Sequence, residues 1–193
     1  MKWCLRCGLI NPESAKQCEC KYDFETKAEC PSLPSPPPFF PVSTQKFIVL
    51  AICTFTIYER YWCYQNWKRV KSATGENLSP FWRAVFAPFW GFKLFRRVYD
   101  RAVSDKIAVG WHPVILGILY LVWPLAKVLP DPWWMIWIAS FLPAVPVVQT
   151  ANRVNQQGLT ADPNATYSGA NVVEILLGGL VLALLFVGAL APK

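Results

Sequence analysis

The sequence predicts an all-α membrane protein carrying a small N-terminal zinc ribbon. Three observations carry that expectation. Of its 193 residues, 54% are hydrophobic, and they fall in long uncharged blocks rather than alternating with polar residues. Five of the seven cysteines crowd into residues 1–30. Between that polar arm and the first apolar block lies PSLPSPPPFFPVS, residues 31–43, with six prolines. The expected organisation is a ribbon module at 1–30, a proline-rich linker at 31–45 and a helical membrane domain at 46–193.

The arm reads CLRCGLINPESAKQCECKYDF, residues 4–24. Cys4 and Cys7 form a C-x2-C knuckle; Cys18 and Cys20 form a tighter C-x-C ten residues later. Four thiolates at that spacing can surround Zn²⁺ tetrahedrally at about 2.3 Å. A unit this small has almost no core, so the metal would supply its folding energy. Asn11-Pro12 is turn chemistry that brings the second knuckle back to the first. Cys30 could replace Cys18 or Cys20, and an unmetallated thiol cluster or a disulfide pair is the alternative. A closed four-thiolate site leaves no open position for substrate, so its expected role is structural. Thiolates persist best in a reducing compartment, which places the arm in the cytoplasm. The arm lacks the features of a secretory signal peptide.

The prolines of the linker fix φ and remove donors, which predicts an extended stalk. Three blocks beyond it are long enough to span a bilayer: Ile107–Ala126, Pro132–Asn152 and Ile175–Pro192, with 20, 21 and 18 uncharged residues. KVLPD, residues 127–131, is short enough to fold the first two into a helical hairpin. Trp123, Trp133, Trp134 and Trp137 gather at its turn as an interfacial anchor. Pro113, Pro124, Pro143 and Pro146 are expected to kink these helices. FIVLAICTFTIY, residues 47–58, is too short to span, and extending it to Tyr64 encloses Glu59 and Arg60. It reads as re-entrant or interfacial. Ser79-Pro80 marks a helix start. In the helix that follows, Phe92, Leu94, Phe95, Val98 and Tyr99 fall on one half and Lys93, Arg96, Arg97, Asp100 and Arg101 on the other. That pattern fits an in-plane helix on a headgroup surface, or a packed helix with a solvated basic face.

The net charge is +7, and residues 60–106 hold ten Lys/Arg against Glu76, Asp100 and Asp105. A basic, aromatic-rich segment flanking apolar spans points to anionic headgroups on the cytoplasmic side rather than to nucleic acid. No Ser/His/Asp set, H-E-x-x-H motif or phosphate-cradling glycine loop is present. His112, the only histidine, is expected to pack or to make a hydrogen bond. Glu59 with Arg60, Lys127 with Asp131, and Glu174 lie near segment ends, where long side chains can snorkel. Gly179 and Ala183 form one small-xxx-small step that hints at a homo-oligomer.

Two stretches resemble known bacterial proteins. The arm is similar to zinc-ribbon modules written loosely as CxxCGxxNPxxAKxCxCGYDF, matched at Cys4, Cys7, Gly8, Asn11, Pro12, Ala15, Lys16, Cys18, Cys20, Tyr22, Asp23 and Phe24, with Lys21 in place of Gly. TFTIYERYWCYQNW, residues 54–67, resembles the TxGIYxxYWxYxxx signature of an uncharacterised bacterial membrane family, with Thr56 where that family favours Gly. SPFWRAVFAPFWGF fits longer members of the same group. The resemblance implies a bacterial inner-membrane location and names no activity. The expected function is a non-enzymatic scaffold or regulator docking a cytoplasmic protein, with a small transporter or channel subunit as the alternative.

Overall fold

The computed structural model describes residues 2–3, 10–16, 24, 37–131, 133–156, 164 and 166–190. The chain divides into two compact units, Met1–Pro36 and Pro37–Lys193. In the first, β1 (Lys2–Trp3) pairs antiparallel with β2 (Ile10–Asn11), Lys2 opposite Asn11 and Trp3 opposite Ile10. The Ala15 amide donates to the Pro12 carbonyl at 3.1 Å, a turn directly after Asn11-Pro12. Cys4, Cys7, Cys18, Cys20 and Cys30 lie outside the described residues.

Every regular element among the described residues of the second unit is helical. It comprises α1 (Thr44–Cys53), α2 (Ile57–Thr74), α3 (Pro80–Val85), α4 (Ala87–Ser104), α5 (Pro113–Val122), α6 (Val145–Gln156) and α7 (Gly169–Leu190). Two 3-10 helices, Trp123–Val128 and Trp133–Ala144, lie between α5 and α6.

Residues 47–64 fold as helix, break and returning helix. Phe55 and Thr56 adopt positive φ, +50° and +69°, which stops α1 and re-aims the chain. The Thr54 hydroxyl donates to the Leu50 carbonyl at 2.6 Å and accepts from the Tyr58 amide at 2.9 Å, closing the break. Phe47 then meets Tyr58 and Trp62 edge-on at 6.3 and 5.8 Å, so α1 and α2 run back to back. Left-handed backbone at Thr56 is the conformation glycine adopts most cheaply.

Among the described residues, two helical runs, rather than the expected three, are long and apolar enough to cross a membrane: Trp133–Gln156 and Gly169–Gly188. The block expected to span at Ile107–Ala126 is shorter, because His112 caps a helix that begins only at Pro113. Its Nδ1 accepts from the Val114 amide at 3.3 Å. Pro124 then tightens the chain into a 3-10 turn, leaving an apolar run of Pro113–Val128. The expected hairpin does form: Trp123 Nε1 donates to the Ile136 carbonyl at 2.9 Å across its turn.

Two further elements find their environment within the helical unit, the first against expectation and the second in the packed form of the two expected for it. Residues 37–43, read as stalk, pack into the helical unit, with Phe39, Pro41 and Val42 buried. Asparagine side chains serve their backbone. Asn155 accepts from the Phe39 amide and donates to the Phe39 carbonyl, both at 3.1 Å. Asn66 accepts from the Phe40 amide at 3.0 Å, and Asn152 donates to the Val42 carbonyl at 2.7 Å. The apolar face of α4 is covered by protein rather than laid on a headgroup surface: Leu94, Phe95 and Val98 are fully buried, and Phe95 packs on Tyr120 at 5.1 Å. Lys93, Arg96 and Arg101 stay exposed on its other face. Two glycines make that packing close. A Cβ on Gly91 would meet the Tyr120 ring at 2.6 Å, and one on Gly117 would meet Phe92 at 2.8 Å.

Candidate functional site

The start of α1, the α1–α2 break, α2, Asn164 and residues 166–174 line a cavity of about 760 Å³. Lys46 lines it and is 3% exposed. The local sequence puts the ammonium there. Ser43 caps α1 by accepting from the Lys46 amide at 3.3 Å, so Lys46 sits in the first turn with no acidic residue beside it. A helix N-terminus carries partial positive charge, so the lysine adds to a field of its own sign. Lys46 Nζ donates to Asn164 Oδ1 at 2.7 Å and to the Thr166 carbonyl at 2.8 Å, with the Tyr167 ring 5.8 Å away. Among the described residues no carboxylate pairs with it.

Arg69 enters the same cavity, its guanidinium bonded to the Pro37 carbonyl at 2.6 Å and set over the Phe40 ring at 5.6 Å. Tyr58 and Tyr61 add phenols from α2. Glu174 is exposed, lines the cavity and accepts from Asn171 Nδ2 at 3.4 Å. Two cations therefore face one carboxylate, a balance that suits a ligand with a single negative charge.

A second polar group lies inside the core. Glu59 is 5% exposed and accepts a short hydrogen bond from the Tyr120 hydroxyl. Tyr120 in turn lies 3.8 Å from Cys63 Sγ. With the phenol proton given to Glu59, the thiol can supply its own to the phenol oxygen. Burial pushes the Glu59 carboxyl up to about 7, against the hydrogen bond from Tyr120 and the charge of Arg60, which pull it down. Its second oxygen, Oε2, and the buried Trp62 Nε1 have no hydrogen-bond partner. Arg60 turns outward and donates to the Val85 carbonyl at 2.6 Å. The sequence had placed Glu59 and Arg60 together at a segment end; the fold separates them, Glu59 inward and Arg60 outward.

The chain matches no protein-family model, no curated protein and no solved structure.

Among the described residues, those singled out from sequence are thus dispersed. Cys4, Cys7, Cys18 and Cys20, the expected Zn²⁺ ligands, lie outside the described residues. No cluster of three or more His, Cys, Asp or Glu able to hold a metal occurs among the described ones. Asp131 accepts from Trp134 Nε1 at 2.9 Å at the hairpin turn. Lys46, Arg69, Asn66, Asn155 and Tyr120 went unnoticed in the sequence. The available signal was a lysine or asparagine within or beside apolar blocks, where polar groups are costly unless they have a partner.

Proposed function

We propose that this protein is a non-enzymatic, membrane-anchored scaffold. Its helical unit seats in a bacterial inner membrane, and its N-terminal cysteine module holds structural Zn²⁺ and docks a cytoplasmic protein. The observation that carries the membrane seat is the surface of α7. Only 6% of its apolar window is buried within the protein, against 44% for Trp133–Gln156. Leu176, Leu177, Leu180, Leu184 and Val187 are each more than half exposed. Leaving such a side chain in water forgoes about 1.5–3 kcal/mol, so lipid is the fitting solvent for this face. The docking role rests on the resemblance of the arm to zinc-ribbon modules, and the cytoplasmic side on its thiols and the basic segment. Membership of the uncharacterised membrane family rests on residues 54–67.

Purification in mild detergent from crosslinked cells, as wild type and as Cys4→Ser/Cys7→Ser, tests the docking role. A protein lost only from the variant supports it; identical co-purifying profiles sink it. One observation favours the alternative of a small transporter or channel subunit: Glu59 is a buried, protonatable carboxyl with one unpartnered oxygen. Ion flux into liposomes that vanishes in Glu59→Gln would establish that reading instead.

A further inference from the structure

We infer that the cavity between the start of α1, α2 and the start of α7 binds the phosphodiester headgroup of a membrane phospholipid, with an acyl chain continuing along α7. The inference rests on the membrane seat proposed above and is independent of partner docking. Four features point to this ligand class. The first is charge. Lys46 spends two of its three N–H groups on Asn164 and Thr166, so one N–H and the full positive charge remain for a ligand. Arg69 adds a guanidinium fork, a geometry suited to phosphate oxygens.

The second is balance. Glu174 lines the same cavity, which disfavours polyphosphates and suits a diester carrying one negative charge. An ammonium-bearing headgroup could face Glu174 while its phosphate faces the two cations. The third is size: about 760 Å³ falls within the range of small-molecule sites, roughly 300–1,000 Å³.

The fourth feature separates a lipid from a soluble anion. A second cavity, about 430 Å³ and almost wholly apolar, is walled by Ile52, Met135, Ile138, Phe141, Leu182 and Phe186. Asn171 and Glu174 of the polar cavity, then Gly178 where α1 crosses, then Leu182 and Phe186 follow one another at three- and four-residue steps. They therefore share one face of α7. The α1 backbone closes that face at Gly178, so the tail runs beside the crossing, over Leu177, Leu180 and Leu184, which are exposed on the same helix. Polar at its N-terminal end and apolar beyond, α7 has the order of an amphiphile from headgroup to tail.

The test is native mass spectrometry of the full chain released from nanodiscs of mixed phosphatidylethanolamine and phosphatidylglycerol. Wild type is expected to retain one phospholipid through delipidation. Lys46→Gln/Arg69→Gln is expected to lower its occupancy at least about tenfold, equivalent to about 1.4 kcal/mol of binding. Lys46→Arg, which keeps the charge, should retain it. Wild-type protein without bound lipid, or a double variant that holds as much, overturns the inference. So does displacement of the lipid by millimolar inorganic phosphate, which would make this a small-anion site. If the double variant fails to fold, Arg69→Gln alone and the phosphate competition on wild type decide. Protein that needs detergent for extraction yet carries no lipid would refute this site and leave the membrane seat standing.

Discussion

A single methyl group at Gly178 should separate two helices. A Cβ built at that position falls 1.8 Å from the Cys53 carbonyl oxygen and 2.9 Å from Cys53 Cα. Carbon and carbonyl oxygen normally approach to about 3.3 Å, so α7 must move away from α1 by about 1.5 Å. The obstructing atoms are backbone at the α1 C-terminus and cannot swing aside as a side chain would. Overpacking of this kind costs about 1–3 kcal/mol, and contact with rigid backbone favours the upper end. Alanine returns about 1 kcal/mol of helix propensity, which leaves a net loss of about 2 kcal/mol for Gly178→Ala. For a chain of this length that is a fall of about 4–8 °C in Tm. Gly179 is the internal control, since a Cβ there meets nothing within 4 Å. Gly179→Ala should hold or raise Tm. Thermal unfolding followed by circular dichroism in mild detergent reads both variants. Equal Tm values for the two would refute the close α1–α7 crossing, and with it the alignment of the two cavities.

Other expectations follow from the same structure. Thr56→Gly should stabilise by about 0.5–1 kcal/mol, because a β-branched residue in left-handed backbone costs about 1–2 kcal/mol and glycine returns part of that as chain entropy; a loss above about 1 kcal/mol in the same assay contradicts it. Glu59 is raised from 4.5 to about 7 in the folded protein, so the native state holds its proton more tightly than the unfolded chain. The contribution of Glu59 to stability is therefore full below pH 4.5 and falls by about 3 kcal/mol as pH rises to 7. Glu59→Gln should remove that fall, and identical pH profiles for the two proteins would exclude it. Metal analysis of the purified chain should find about one zinc per chain, absent from Cys4→Ser/Cys7→Ser, as expected for a four-thiolate site; equal zinc in both proteins would dismiss the ligand set.

Some of this architecture could be read from the sequence. The apolar blocks after residue 107 announce helices, and the short KVLPD turn announces their hairpin, because length and lack of charge act locally. The interruption of residues 47–64 was visible in Glu59 and Arg60, although the break falls earlier, at Phe55 and Thr56. Partners distant in sequence stayed hidden. Nothing local tells residues 37–43 that Asn66, Asn152 and Asn155 will supply their hydrogen bonds, so a proline-rich segment looks like a stalk until it meets them. The α4 pattern was correct in its faces and left its medium open between headgroup surface and protein interior, since both select the same side chains; the structure has the packed helix with a solvated basic face. Lys46 looks like an ordinary first-turn residue, and its meaning comes only from Asn164 and Thr166, far along the chain. Gly179 drew attention for its spacing with Ala183, yet Gly178 makes the contact with α1.

The exposed apolar face of α7 is proposed to lie in lipid. This placement is tested most directly by replacing Leu184, 64% exposed on that helix, with a photo-crosslinking benzophenone amino acid and irradiating intact cells. Phospholipid adducts are expected on a chain recovered in the membrane fraction. A chain recovered in the soluble fraction, without lipid adducts, would contradict it.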